Sequence, residues 1–120
     1  MEETLFDISG VPVAYISFDN DSTIYLWNGK PVAYLYEDKV YGFNGKHLGW
    51  YIQGEIRNLN GLICGFNKFA ADVYTQYEPY KAYKQYSPYR NYMEYSHPKP
   101  YFGRVKSSES LTSFLMSGAK

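Results

Sequence analysis

The sequence predicts an all-β domain of four β-hairpin repeats with pseudo-four-fold symmetry, followed by a polyproline II-like tyrosine-rich segment and a short C-terminal helix. Three observations predict this class: a glycine turn that recurs four times, tyrosines at every third position of the next stretch, and one apolar stripe near the end. The predicted boundaries are 4–68 for the four-hairpin domain, 69–101 for the extended segment that packs on it, and 102–120 for the tail with its helix.

The four repeats align on glycines 10, 29, 45 and 61, which are separated by 19, 16 and 16 residues. Asparagine precedes three of these glycines and serine the fourth, and apolar or aromatic residues flank each pair. Asn-Gly between two apolar runs is a strong hairpin signal, because a type I′ turn needs positive φ at both central residues. The predicted turn-forming residues are Asn28, Gly29, Asn44, Gly45, Asn60 and Gly61.

Strand alternation gives each hairpin an aromatic face and an aliphatic face. The aromatic face carries the candidate stacking residues Tyr25, Trp27, Tyr34, Tyr41 and Trp50. A two-residue turn also places one aliphatic column on that face, namely Val13, Val32, Leu48 and Cys64. On the opposite face, Leu5, Ile24, Val40 and Ile56 oppose the small residues Ala14, Ala33, Gly49 and Gly65. We expect strands to approach closely at the small residues, and both faces to be at least partly buried.

Three runs, Val13–Ile16, Thr23–Leu35 and Val40–Trp50, resemble the bacterial 4-fold beta flower domain family. The resemblance covers about residues 5–67 and extends loosely to the tyrosine-rich stretch and the Leu-Phe-Leu ending. It implies the fold of the first half and brings no biochemical activity, catalytic residue or binding residue. The first repeat departs from the pattern, with Ser9 in place of asparagine and a longer spacer.

The second half is dominated by tyrosines three residues apart, namely Tyr74, Tyr77, Tyr80, Tyr83, Tyr86, Tyr89, Tyr92 and Tyr95. Polyproline II has three residues per turn, so it places all of them on one edge, whereas a helix spreads them and a strand alternates them. Residues 74–101 would then extend about 87 Å, enough to wrap the domain or project from it. We expect the tyrosine edge to dock on the aromatic face of this domain or of a neighbouring copy.

Charge complementarity favours this docking. Residues 1–73 hold 5 basic and 9 acidic groups, a net of −4, and residues 74–120 hold 7 basic and 3 acidic groups, a net of +4. The end of the chain predicts one short helix, capped by Ser107 or Ser108, with Leu111, Phe114 and Leu115 as its apolar stripe and Gly118 as its stop.

The residues that usually carry catalysis or bind metal are sparse. His47 is expected at an exposed turn, His97 on the surface, and Cys64 in the core as a small hydrophobic thiol. The run Asp19-Asn20-Asp21 resembles the start of a calcium loop but lacks the later glycine and the terminal glutamate. The sequence therefore predicts no catalytic residue, no metal site, no cofactor and no enzymatic activity, although carboxylates converging in the fold would revive the enzyme hypothesis.

Two binding functions remain open. The first is a structural or protein-interaction module whose partner is its own tail or another protomer. The alternative is a carbohydrate- or base-stacking module that uses exposed tyrosine and tryptophan. Lys plus Arg and Asp plus Glu are 12 each, and this zero net charge disfavours a nucleic-acid partner. No signal peptide or transmembrane run is visible, so a cytoplasmic location is expected.

Overall fold

A computed structural model describes all 120 residues. Eight antiparallel strands close into a barrel in which each strand pairs with its neighbours in chain order, and β1 meets β8. The prediction of an all-β domain of four hairpins is confirmed. The strands are β1 (Glu2–Asp7), β2 (Pro12–Ser17), β3 (Thr23–Leu26), β4 (Pro31–Tyr36), β5 (Lys39–Gly42), β6 (His47–Ile52), β7 (Glu55–Asn58) and β8 (Ile63–Phe66). One 3-10 turn, Phe18–Asn20, separates the first two hairpins.

The glycine turns differ in type from the prediction. In the second hairpin the Gly29 N–H donates to the Leu26 carbonyl at 2.9 Å, and φ is positive at Gly29 but not at Asn28. The Asn28 side chain accepts the N–H of Lys30 at 3.0 Å, so asparagine serves as a hydrogen-bond acceptor rather than as a left-handed residue. Such a three-residue turn with a left-handed glycine is followed by a bulge, and type I′ is therefore wrong here.

The bulge explains a second departure. Ile24 pairs with Ala33 as the sequence predicts, but Tyr25 pairs with Pro31, which leaves Val32 as the extra residue. Every hairpin shows the same shift, and an extra residue breaks the strict alternation of faces. The predicted aromatic-face column consequently packs with the barrel interior instead, namely Val13, Val32, Leu48 and Cys64.

A short helix, α1 (Leu111–Met116), closes one end of the barrel. Its stripe is buried in the main core as predicted, but its N-cap is Ser110, whose hydroxyl accepts the N–H of Ser113. The small-residue column makes room for the helix, since a Cβ at Gly65 would lie 2.9 Å from a methyl of Leu111. The interior ends of the repeats, Leu5, Ile24, Val40 and Ile56, are fully buried beneath it.

Residues 74–106, hereafter the strap, run around the barrel without forming a helix or a regular strand. A single bridge joins Lys106 to Ile63. The molecule measures 36 × 36 × 22 Å, so a quarter of its circumference is about 28 Å. An extended chain that rises about 3.1 Å per residue covers this distance in about nine residues. Polyproline II geometry for the strap stays a prediction.

No helix of the molecule combines the length and the apolarity needed to cross a bilayer.

Candidate interaction surface

The strap touches the four hairpins at equivalent points. A Cβ built on the turn glycine of each hairpin would lie between 1.9 and 2.5 Å from a strap carbonyl oxygen, so the backbones are in direct contact. The contacting pairs are Gly10 with Tyr74, Gly29 with Tyr83, Gly45 with Tyr92 and Gly61 with Tyr101. These strap residues are nine positions apart. One nonapeptide of strap therefore spans one hairpin of the barrel.

Backbone hydrogen bonds repeat with the same period. Two residues after the first three contact points, the strap N–H groups of Gln76, Gln85 and Glu94 donate to the carbonyls of the turn glycines at 2.8 to 2.9 Å. The nonapeptides read YTQYEPYKA, YKQYSPYRN and YMEYSHPKP. The three-residue tyrosine period masks this longer repeat in the sequence, although Gln or Glu at the third position and Lys or Arg at the eighth are visible signals of it.

The cation at the eighth position of the first two nonapeptides covers the aromatic groove between neighbouring hairpins. The Lys81 ammonium lies 4.9 Å from the ring centre of Tyr15 and 5.2 Å from that of Trp27. The Arg90 guanidinium lies 3.8 Å from the ring centre of Tyr34. Such placements are attractive because the ring face carries partial negative charge. The first two nonapeptides are thus fastened by the same interaction.

The remaining grooves use other residues. Lys99 occupies the eighth position but pairs with Asp38 at 3.0 Å instead of an aromatic ring. Phe102 fills the third groove, with its ring edge on Trp50 and the Arg57 guanidinium 4.8 Å from its centre. In the fourth groove, Lys106 lies over the ring of Phe66. The four-fold match is therefore approximate.

The predicted stacking residues lie beneath the strap rather than at the surface. Tyr25, Tyr34, Tyr41 and Trp50 are at most 3% exposed. Trp27 is half-buried, and its indole N–H donates to the Pro79 carbonyl at 3.2 Å. The expectation that these side chains form exposed stacking platforms is wrong, because the strap covers their faces.

The strap also binds with the opposite edge to the predicted one. Its tyrosines are between 84% and 102% exposed, so the tyrosine edge faces solvent and the prediction that it docks is wrong. Where a tyrosine carbonyl presses on a turn glycine, the side chain of the same residue points away, and the three-residue period brings the other tyrosines to that outer edge. We call this set the tyrosine belt: Tyr74, Tyr77, Tyr80, Tyr83, Tyr86, Tyr89, Tyr92, Tyr95 and Tyr101.

His47 lies where the third nonapeptide meets the barrel. It is 2% exposed, which contradicts the expected exposed turn. Its Nδ1 accepts the backbone N–H of His97 at 2.9 Å, and its Nε2 lies 2.9 Å from the Gly49 carbonyl. An accepting Nδ1 and a donating Nε2 define the neutral imidazole. Burial lowers the pKa of His47, which keeps the ring in this form.

Acidification is expected to loosen this part of the strap. Protonated His47 would present an N–H to the backbone N–H of His97, and the two donors cannot form a hydrogen bond. Because the pKa of His47 is lowered in the folded state, the histidine of the unfolded chain, with a pKa near 6.5, takes up the proton first. The contribution of neutral His47 to the free energy of unfolding is therefore fully present above about pH 6.5, and it falls as the pH drops toward the pKa of His47 in the folded state. We expect hydrogen exchange at the Glu94 and His97 amides to become faster by at most about tenfold for each unit that the pH falls, after correction for the intrinsic exchange rates.

Two substitutions separate His47 from its neighbours in that hydrogen-exchange measurement. The charged or titratable groups around it are Glu94, His97, Lys39 and the stacked Tyr41. His47→Gln should remove the pH dependence, whereas His97→Gln should keep it because the backbone N–H of residue 97 remains. An unchanged pH dependence in His47→Gln would assign the titration to another group.

The arginine stack gives a prediction for strap stability. Arg90 also donates to the Asp21 carbonyl at 2.8 Å, so Arg90→Gln removes a stacked cation and a charged hydrogen bond. We expect the free energy of unfolding to fall by about 1–2 kcal/mol in urea denaturation. Lys99→Gln is the matched control, because its pair with Asp38 is half exposed and such pairs contribute about 0–1 kcal/mol. Equal losses in both variants would contradict a special role for the stack.

Cys64 is buried in the main core as predicted, and burial raises the pKa of its thiol to about 12. The thiol is therefore neutral at ordinary pH and acts as a small apolar group.

Comparison with known proteins places the whole architecture in one family. The family description "4-fold beta flower protein" matches residues 3–115, which include the barrel, the strap and nearly all of α1. No curated protein and no solved structure matches the chain significantly. The extent of the match shows that the strap and helix are part of the family's pattern as much as the hairpins are. The chain therefore belongs to the 4-fold beta flower protein family.

Proposed function

We propose that this chain is a non-enzymatic interaction module, in which the barrel and strap form a flat disc that presents the tyrosine belt to a partner. The observation that carries the proposal is the outward orientation of the belt. Docking of the strap uses its backbone, its cations and Phe102, and none of these contacts requires a tyrosine side chain.

The hydroxyl groups support the same reading. The only tyrosine hydroxyls that donate hydrogen bonds within the chain are those of Tyr41 and Tyr51, neither of which belongs to the belt. Nine side chains of about 200 Å² each expose about 1,700 Å², a large share of the 6904 Å² total surface. Tyrosine is enriched at binding surfaces, and a row of nine exposed tyrosines is therefore typical of such a surface.

The cavity beside His47 supports a non-enzymatic role. It measures about 390 Å³ and is lined in part by Lys46, His97, Glu94 and Glu109. Both ring nitrogens of His47 are engaged with backbone groups, and the Glu94 carboxylate accepts the backbone N–H of His47 at 2.8 Å. The bonds of His47 to Glu94 and His97 fasten the strap, and an imidazole with both nitrogens engaged is not free to act as a general base.

A variant with one tyrosine changed in each nonapeptide tests the proposal: Tyr77→Ser, Tyr86→Ser and Tyr95→Ser combined. Because these side chains make no described hydrogen bond or ring contact, we expect the free energy of unfolding to stay within about 0.5 kcal/mol of the parent. Both proteins would be tested for self-association by sedimentation, and for binding to neutral polysaccharides, single-stranded DNA and anionic vesicles. Loss of at least one of these interactions in the variant is expected.

Two outcomes would overturn the proposal. A marked loss of stability in the variant would make the tyrosines structural. Identical behaviour of parent and variant in every binding assay would leave the belt without a role in recognition.

A further inference from the structure

We propose that the tyrosine belt binds a neutral polysaccharide whose sugar rings expose flat C–H faces. This inference rests on the proposed function, since it names the partner of the same surface. Three properties of the belt carry it: the lack of a continuous track of free cations, the separation of its rings, and its unpaired hydroxyl groups.

Positive charge in the second half of the chain is engaged by the chain itself. All seven cations after residue 73 contact an acidic group, an aromatic ring or a carbonyl. Lys81 and Lys84 pair with Glu2, Arg104 with Glu55, and Lys106 with Asp72. Binding to nucleic acid depends on cations that neutralise phosphates. The strap itself offers no such set. Lys30 and Lys46 follow two of the turn glycines that it contacts and form no ion pair, but two isolated lysines do not make the cationic track that a polyanion needs. This disfavours nucleic acids, anionic glycans and anionic bilayers.

Negative charge along the belt is also engaged. Glu78 accepts the hydroxyl of Thr4 at 2.6 Å, and Glu94 accepts the His47 N–H. The belt therefore presents aromatic rings and hydroxyl groups with little free charge of either sign. An uncharged partner rich in hydroxyl groups is complementary to such a surface.

The belt rings are separated from one another. No belt tyrosine takes part in any of the aromatic ring pairs of the chain. Successive tyrosines lie about 9 Å apart along an extended backbone, close to the length of one disaccharide in an extended β-linked chain. Each ring can stack on one sugar face, and each free phenolic hydroxyl can bond to the sugar hydroxyls at its rim.

Other occupants fit this geometry less well. Single-stranded nucleic acid also stacks on aromatic rings, but its phosphates would face a belt without free cations. Self-association through the belt of a second copy is distinguished from glycan binding by the test below. A polymer that follows the strap can engage many tyrosines, because weak contacts add through avidity.

Affinity electrophoresis of the full chain tests the inference. The probes are soluble neutral polymers, namely hydroxyethylcellulose for β-1,4-glucan, laminarin for β-1,3-glucan and galactomannan for β-1,4-mannan, with carboxymethylcellulose as the anionic counterpart. We expect at least one neutral probe to retard the protein. Changing Tyr83, Tyr86 and Tyr89 together to serine should weaken that binding by about tenfold or more.

Two controls match this variant. The same three positions changed to phenylalanine keep the rings and should stay within about threefold of the parent. Phe18→Ser removes a partly exposed aromatic ring outside the belt and should leave binding unchanged. Failure of every neutral probe, or retardation that survives the serine variant, would overturn the inference. Belt-dependent self-association or DNA binding without glycan binding would overturn this inference alone, whereas no belt-dependent binding of any kind would also overturn the proposed function.

Discussion

Phe114→Ala is expected to lower the free energy of unfolding by about 3–5 kcal/mol, the largest effect of any single substitution considered for this chain. Phe114 is buried with Leu111 and Leu115 in the main core, where α1 closes the end of the barrel. Removing the ring leaves a cavity that the surrounding closed sheet cannot collapse to fill, because each strand is held by two neighbours. Urea denaturation followed by tryptophan fluorescence and by circular dichroism measures the change.

Met116→Ala provides the matched control on the same helix. Its side chain is 38% exposed and lies outside the apolar stripe, so the expected loss is below about 1 kcal/mol. Alanine is the best helix former, so helix propensity opposes a loss in both variants, and similar losses would contradict a special role of Phe114 in closing the barrel. A Phe114→Ala protein as stable as its parent would show that α1 is not part of the cooperative unit.

Gly29→Ala is expected to detach the strap locally and to destabilise the fold by about 2–4 kcal/mol. The backbone at Gly29 has φ of +92°, which an L side chain rarely adopts. The new Cβ would also lie 1.9 Å from the Tyr83 carbonyl oxygen. Because that neighbour is backbone, the strap must move, and the hydrogen bond from Gln85 to the Gly29 carbonyl is lost. Hydrogen exchange at the Gln85 amide reports the movement directly.

Gly54→Ala separates backbone strain from displacement of the strap. Gly54 has φ of +81°, but its new Cβ would meet the side chain of Asn67 rather than the strap. The Gly54→Ala variant should lose stability through backbone strain. Its Gln85 amide should still exchange with solvent only when the whole domain unfolds, because the strap stays in place. Equal local exposure of Gln85 in both variants would contradict close packing of the strap on Gly29.

The features that sequence reasoning predicted correctly depend on local signals. Glycine turns between apolar runs predict hairpins whatever surrounds them, and alternation assigns Leu5, Ile24, Val40 and Ile56 to one buried face. The stripe of Leu111, Phe114 and Leu115 likewise follows from helical spacing alone. Burial of Cys64 agreed with its aliphatic column. The all-β class of the barrel and the short helix that packs on it could therefore be predicted from the sequence.

His47 shows where local reasoning fails. Its position after a turn predicts exposure, yet Tyr41 stacks on its ring and the strap covers it from a distance of 50 residues in sequence. The bulges are a second case, since Asn-Gly is compatible with both a two-residue turn and a three-residue turn. The extra residue in the longer turn transferred Val13, Val32, Leu48 and Cys64 to the interior.

The sequence by itself predicted that the strap tyrosines share one edge, because a three-residue period matches a three-fold extended chain, and their common exposure agrees with that prediction. Only the tertiary structure decided which edge faces the barrel. A close backbone approach to the turn glycines and cations placed over aromatic grooves stabilise the strap without any tyrosine side chain. The nine-residue register was likewise decided by the barrel, whose quarter-circumference sets how much extended chain one hairpin can hold. Such a match between two lengths exists only once the ring has closed.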